Sequence, residues 1–430
     1  MASFSRLKKP GWQITLLAAI SAFCVYTCMY AFRKPFTAAG FEGYRLWGIA
    51  YKIWLVIAQT IGYTASKFFG IRFIAGMKKE KRAITILKLV SIAWIALLFF
   101  GIFPPPFNII FLLVNGFPLG MIYGLVFSYL EGRRTTELLG AVLATSFIFA
   151  SGFTQSVGKY VMQWNVSEWW MPWITGLIFF LPLVLFTWLL EKTPAPGYLD
   201  INARTERLPM TKKNRGDFLK TFLPGLFMLI IAYVILTIIR DYRSNFASNI
   251  WVELGYGKDA SVFTRSELPA SLIVLVLMGL LVFIKKNIYA LLINHIVIIT
   301  GFLVAIGSTL LFMNKGLSPF WWMTLAGVGL YMGYVPFNCM LFERLIASFK
   351  YVSNAGFIIY VADSFGYLGS DMILLVKNFM NLRVSWTDFF IKMVLTGSVA
   401  GIILVALSAV YFKMKYREYI PRNIPNLNYG

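Results

Sequence analysis

Along this chain the alternation of apolar and polar residues runs on the scale of whole helices. Stretches of about 20 mostly apolar residues, the length that crosses a bilayer, fall at approximately residues 13–35, 50–75, 84–103, 107–130, 138–161, 170–190, 221–243, 266–285, 288–312, 319–342, 352–377 and 387–412. They predict an all-α integral membrane protein with 12 transmembrane helices. Most connections are short. One longer polar segment, from Glu191 to about Lys220, holds Pro194, Pro196, Gly197 and Pro209 and divides the spans six from six. The predicted organisation is an N-terminal six-helix bundle (1–191), a cytoplasmic basic linker (192–220) and a C-terminal six-helix bundle (221–430). Glu131-Gly132-Arg133 before the fifth span and Glu343-Arg344 before the eleventh lie about 212 residues apart, the mark of two parallel repeats.

Composition agrees with a membrane location. The chain is 59% hydrophobic and 13% charged, about half the charged share of soluble domains. A net charge of +22 would raise nucleic acid in a soluble protein. Here the basic residues cluster at the N-terminus, at Lys78 to Arg82, at Arg133 and Arg134, from Lys192 to Lys220, at Lys285 and Lys286, at Arg344 and Lys350, and after Lys413. All these segments are on one side of the predicted topology, so the positive-inside rule puts both termini in the cytoplasm, with the protein multi-pass in the cytoplasmic (inner) membrane. The linker reads as a solvated connector drawn to anionic membrane lipid. No nucleic-acid partner is expected, and a monomer is.

Arg6, Lys8 and Lys9 before an apolar run have a signal peptide's charge order, but the run is too long and ends in Arg33-Lys34-Pro35, which points to an uncleaved first helix. Cys24, Cys28 and Cys339 form no disulfide framework and read as packing residues. One histidine and no cysteine pair at ligand spacing give no metal constellation. There is no nucleotide-binding glycine loop or catalytic set on neighbouring loops, so no cofactor and no enzyme activity are expected.

The informative residues are charges that interrupt apolar runs. Arg33 and Arg240 each close a long uncharged stretch and sit at matching points of the two halves. Such a pair suggests one anion-binding centre, since a guanidinium stays charged when desolvated and offers paired donors to two oxygens of a phosphate. The plainer alternative is that both snorkel to the outer headgroups. Lys67 interrupts the second span, and a structural salt bridge is its plainer alternative. Asp363 and Asp371 on the eleventh span are two turns apart and face roughly one side. They read either as a protonation site, since burial favours a neutral carboxyl, or as partners of Lys67 or Lys377. His295 reads as a packed or interfacial histidine. Small residues such as Gly116, Gly120, Gly152, Gly327, Gly333 and Gly366 recur at near-helical spacing and let helices approach and slide.

Four local matches, in order on the appropriate spans, resemble one family. They are Tyr30-Ala31-Phe32-Arg33-Lys34-Pro35-Phe36, Tyr63-Thr64-Ala65-Ser66-Lys67-Phe68, Ile238-Ile239-Arg240 followed by Trp251, and Asn354-Ala355-Gly356-Phe357 with Phe365-Gly366-Tyr367-Leu368-Gly369. With the twelve-span plan they resemble the major facilitator superfamily, and within it the organophosphate:phosphate antiporters that carry glycerol-3-phosphate and hexose-6-phosphate. The resemblance implies two six-helix pseudo-repeats and transport by alternating access, with a small anionic, phosphorylated solute exchanged for phosphate. It implies Arg33 and Arg240 as anion ligands and Lys67 as a third cation of the cavity, which Tyr30, Tyr63 and Tyr367 are expected to line. It also implies gating or coupling roles for Lys34, Asp241, Glu267, Asp363 and Asp371, with Lys34 pairing to Asp241 and Glu267.

Departures from the family pattern accompany these matches. Pro35 stands where the family has Asn, the segment from Gly70 to Lys79 lacks the family's Asp, and Asn245 lies near the position of a seventh-span acid. The family's fifth-span histidine would fall near Phe149, whereas the only histidine here is His295. The alternatives left open are a proton-coupled carrier of an organic anion without phosphate and a transporter-like sensor of a sugar phosphate.

Overall fold

The computed structural model describes residues 11–75, 77, 79–133, 135–194, 212–349, 355–379 and 384–423. Most of the basic linker and the segment before the eleventh span, including Asn354, lie outside them.

Six helices form the first half: Gly11–Tyr30, Tyr51–Ala75, Arg82–Ile102, Ile109–Leu130, Thr136–Gln163 and Met171–Glu191. The second half contains Lys212–Asn245, Val262–Val282, Asn287–Met313, Pro319–Cys339 continued by Leu341–Ser348, Ala355–Phe379 and Trp386–Asn423. Among the described residues nine helices are long and apolar enough to cross a membrane, or ten when the bent tenth pair counts as one span. The second and eleventh helices, each 25 residues long, complete the set. The second carries Lys52, Gln59 and Lys67 and the eleventh carries Asp363, polar side chains of the site and its gate.

Two spans are broken beside prolines. The fourth is interrupted at Gly120 and Met121, just after Pro118. The tenth bends by 47° at Met340, after Pro336. Proline removes a backbone donor and crowds the preceding turn, the usual cause of such a break.

In hydrocarbon, helices gain little by hiding apolar side chains from lipid, so close backbone approach does more of the packing. The second and fourth spans illustrate it: a Cβ on Gly62 would lie 2.1 Å from the Leu113 carbonyl oxygen, and one on Gly116 would lie 2.2 Å from that of Gln59. Three helix pairs do most to join the halves, the fifth span with the eighth and with the tenth, and the second with the eleventh.

Candidate functional site

Arg33 follows the last turn of the first span, and Arg240 lies within the long seventh helix. Each guanidinium lies over a tyrosine ring, Arg33 at 3.8 Å from the Tyr63 centroid and Arg240 at 4.0 Å from that of Tyr334. A ring covering one face leaves the in-plane N–H edge as the donor surface. Both side chains are nine-tenths buried, at 9% and 8% exposure, so neither extends outward as a snorkelling arginine would. They line one small polar cavity of about 20 Å³ with Lys34, Asp241, Gln59 and Asn245.

Three cations therefore face a single carboxylate in that cavity. Nε of Arg33 and both Nε and Nη2 of Arg240 have no hydrogen-bond partner. Arg240 Nη2 does lie 2.7 Å from Asp241 Oδ1, an ion-pair contact whose angles fall short of a hydrogen bond. Unused donors on buried cations are costly unless a ligand takes them up.

A larger cavity of about 170 Å³ adjoins the first and shares Tyr30, Phe147 and Arg240 with it. Tyr63 and Tyr367 line it as well, as does Lys67, and it runs to Glu137 and Glu343 on the N-terminal side of the bundle. Lys67 forms an ion pair with Asp363 across the two halves. Tyr233 and Tyr334 have their hydroxyls 2.8 Å apart, and Tyr233 also contacts Asp363 Oδ1. A hydroxyl has one hydrogen and the carboxylate only accepts, so the order is Tyr334 to Tyr233 to Asp363. The ring over Arg240 is thus hydrogen-bonded, through one further tyrosine, to the Lys67 partner.

The end of the site opposite the N-terminus is closed by hydrogen bonds between the halves. Lys34 Nζ donates to Ser244 Oγ at 2.9 Å and Asn245 Oδ1 at 2.6 Å. Lys52 Nζ, 2% exposed as a residue, donates to the Thr37 carbonyl and to Asn249 Oδ1. Gln155 Nε2 reaches Thr37 Oγ1 and the Ser244 carbonyl, and Ser248 Oγ donates to the Ala38 carbonyl. At the other end Arg344 Nη2 meets Glu137 Oε2 at 2.8 Å.

Several expectations change. Lys34 reaches the seventh span, but its hydrogen-bond partners are Ser244 and Asn245 in place of Asp241 and Glu267. The acids are engaged elsewhere: Asp241 lies against Arg240, and Glu267 pairs with Arg243 at 2.5 Å. Asp371 does not line the cavity with Asp363, and its Oδ1 has no partner. Eight residues turn a helix by about 800°, some 80° beyond two full turns, which takes Asp371 off the cavity face. Lys377, the other possible partner, has a side chain outside the described set. His295 is fully buried between Leu291 and Ser408 of the ninth and twelfth spans, as a packed histidine should be. All three cysteines are free, and Cys339 lines the larger cavity.

Arg243, Lys52, Gln155, Tyr233 and Tyr334 had no distinguishing signal in the sequence. Arg243 stands at the polar end of the predicted seventh span and Lys52 at the start of the predicted second. The tyrosines were hidden among 22 of their kind.

Residues 35–415 match a family whose description is "Family of unknown function (DUF5690)". No curated protein matches the sequence. Among solved structures, a bacterial homologue of the human lysosomal transporter Spinster, in an inward-facing and unoccupied conformation, aligns with TM-score 0.58 at 12% identity, over 96% of this chain and 98% of that one. A D-xylose-proton symporter aligns with TM-score 0.58 at 13% identity, over 93% and 97%. At this identity the likeness shows the fold, which is that of the major facilitator transporters.

Proposed function

The chain belongs to the family of unknown function DUF5690, and from the geometry we propose that it is a secondary transporter carrying an anionic organic solute by alternating access. The observation that carries this reading is the pair of nine-tenths-buried arginines, one from each half, that line one cavity and keep guanidinium nitrogens without a hydrogen-bond partner. A phosphoryl or carboxylate group between them satisfies donors from both halves at once. Its extra contacts exist only when the halves are together, so binding favours the closed arrangement and lowers the barrier to reorientation.

The finer reading is a phosphorylated solute exchanged for phosphate. A phosphoryl head has enough oxygens for both guanidinium edges and for Lys34, and the organic body occupies the tyrosine-lined cavity below. The basic segments support placing both termini in the cytoplasm. On that orientation the hydrogen bonds around Lys34 and Lys52 form the closed outer gate, and Glu137 and Glu343 mark the inner mouth.

The test is exchange of external labelled phosphate by protein in phosphate-loaded liposomes, alone and against sugar and glycerol phosphates. Exchange lost in both Arg33→Ala and Arg240→Ala is the expected result. An Arg240→Ala carrier that exchanges normally would refute it.

A further inference from the structure

The connection between the first and second spans holds a feature that neither cavity uses. Residues Arg45 to Ala50 form a two-stranded hairpin, Arg45 opposite Ala50 and Leu46 opposite Ile49, at the end of the bundle opposite the N-terminus. Its turn is Trp47-Gly48, with φ of 52° and 76°. A two-residue turn of this kind needs positive φ at both positions, and asparagine, aspartate or glycine is the usual first residue. A bulky side chain there is sterically disfavoured. The chain nonetheless sets its largest apolar ring at the tip, where Trp47 is 80% exposed.

The base of the hairpin is firmly held. The Tyr51 amide donates to the Tyr44 carbonyl at 3.0 Å, both tyrosine rings pack against Trp169, and Lys52 Nζ, next in the chain, donates to the Thr37 carbonyl. The tip leans on the second span instead. Trp47 meets Trp54 edge-on with ring centroids 5.3 Å apart, and Trp54 Nε1 donates to the Leu46 carbonyl at 3.1 Å. Trp54 begins a stripe that continues through Ile61 and Phe68, each seven residues on and so about two turns further along one helix face. Ile61 is 48% exposed and Phe68 63%. On a membrane-spanning helix, an apolar face this open meets lipid. The Trp47–Trp54 pair therefore extends the lipid-facing surface of the second span beyond the start of its helix.

From this placement we propose that the hairpin is a phospholipid contact site of the adjoining leaflet. Trp47 and Trp54 sit at the boundary between headgroups and acyl chains, where an apolar ring with one N–H is best accommodated. Arg45, exposed and the one charged residue of 44–51, lies at the level of the lipid phosphates, which a guanidinium suits. The occupant is lipid because the tip prolongs a face that already meets lipid and adds a positive charge to it. Lys52 at the base also donates to Asn249 of the other half, so the lipid contact and the gate share one loop.

Spin labelling of the full-length protein in phospholipid vesicles tests this. Cys24, Cys28 and Cys339 are replaced, and single nitroxides are attached through Trp47→Cys, Arg45→Cys and, as an aqueous reference, Lys258→Cys, exposed at the same end. Arg45→Cys leaves the Trp47 ring in place. Power saturation then compares collisions with oxygen, which concentrates in lipid, and with a nickel chelate, which stays in water. The label at 47 should collide mainly with oxygen and read about 5–10 Å into the boundary of headgroups and acyl chains. The label at 45 should be shallower, at the phosphates, and that at 258 should be in water. Nickel access at 45 equal to that at 258, with the Trp47 ring intact, would overturn the proposal by placing the hairpin in water. Few collisions with either reagent at 45 and 47 would overturn it too, because protein, a partner or a second copy of this chain, would then cover the tip.

Discussion

Gly152 lies where the fifth span meets the eighth. A Cβ at this position would stand 2.5 Å from the Phe263 carbonyl oxygen and 2.6 Å from Glu267 Cγ. Both distances are about 1 Å short of ordinary contact. The carbonyl belongs to a helix backbone and cannot swing aside, so Gly152→Ala must push the two spans apart. Overpacking of this kind costs about 1–3 kcal/mol, which moves a two-state equilibrium by roughly 5- to 150-fold. The strained arrangement is the one in which these faces meet, so the expected shift is toward a state with the outer gate parted.

Spin labels at Trp164 and Lys258, exposed near the ends of the two spans, read this as a distance. Cys24, Cys28 and Cys339 are first replaced. Wild type should give one short distance population, and Gly152→Ala should transfer a large share of it to a longer one. An unchanged distribution in folded Gly152→Ala protein would refute the reasoning, because the clash would then have been absorbed locally.

Other consequences follow from single contacts. Arg243→Ala leaves Glu267 buried without its ion partner, so thermal unfolding in detergent should show a loss of about 3–5 kcal/mol; an unchanged transition would place the pair outside the core. Lys52→Met removes the donor to Thr37 and Asn249 from the closed gate, and labelling of a Ser151→Cys reporter from outside should rise about tenfold, as loss of charge-assisted hydrogen bonds implies. His295→Gln should leave the pH profile of transport unchanged, since the imidazole is packed between the ninth and twelfth spans away from the cavity; a shifted profile would bring it into the coupling mechanism.

The spans were legible because about 20 apolar residues in a row have few other uses, and Arg33, Arg240, Lys67 and Asp363 stood out by interrupting such runs. Their number and matching positions pointed to a shared centre. Which charge meets which was not legible. The expectation that Lys34 pairs with Asp241 and Glu267 followed the family pattern of acids on the seventh and eighth spans, whereas Arg240 and Arg243, on the same helix as Asp241, engage those carboxylates. Tyr233 and Tyr334 were invisible for a different reason. Tyrosine is frequent at membrane interfaces, and burial, the Tyr334 ring over Arg240 and the hydroxyl chain to Asp363 distinguish these two from a lipid belt. The angular offset between Asp363 and Asp371 was computable from helix geometry, but which of them the cavity would choose depended on how the eleventh helix is rotated.

The central claim is that Arg33 and Arg240 hold one anion between them. Its most direct measurement is equilibrium binding of phosphate to the purified protein and to Arg33→Ala, Arg240→Ala and the double variant. One phosphate per chain is expected, each single substitution weakening it by about ten- to a hundredfold, as loss of a charge-assisted hydrogen bond of about 1.5–3 kcal/mol implies. The double variant should lose less than the two single losses combined, because both arginines serve the same ligand. Phosphate binding that survives in both single variants would contradict the claim.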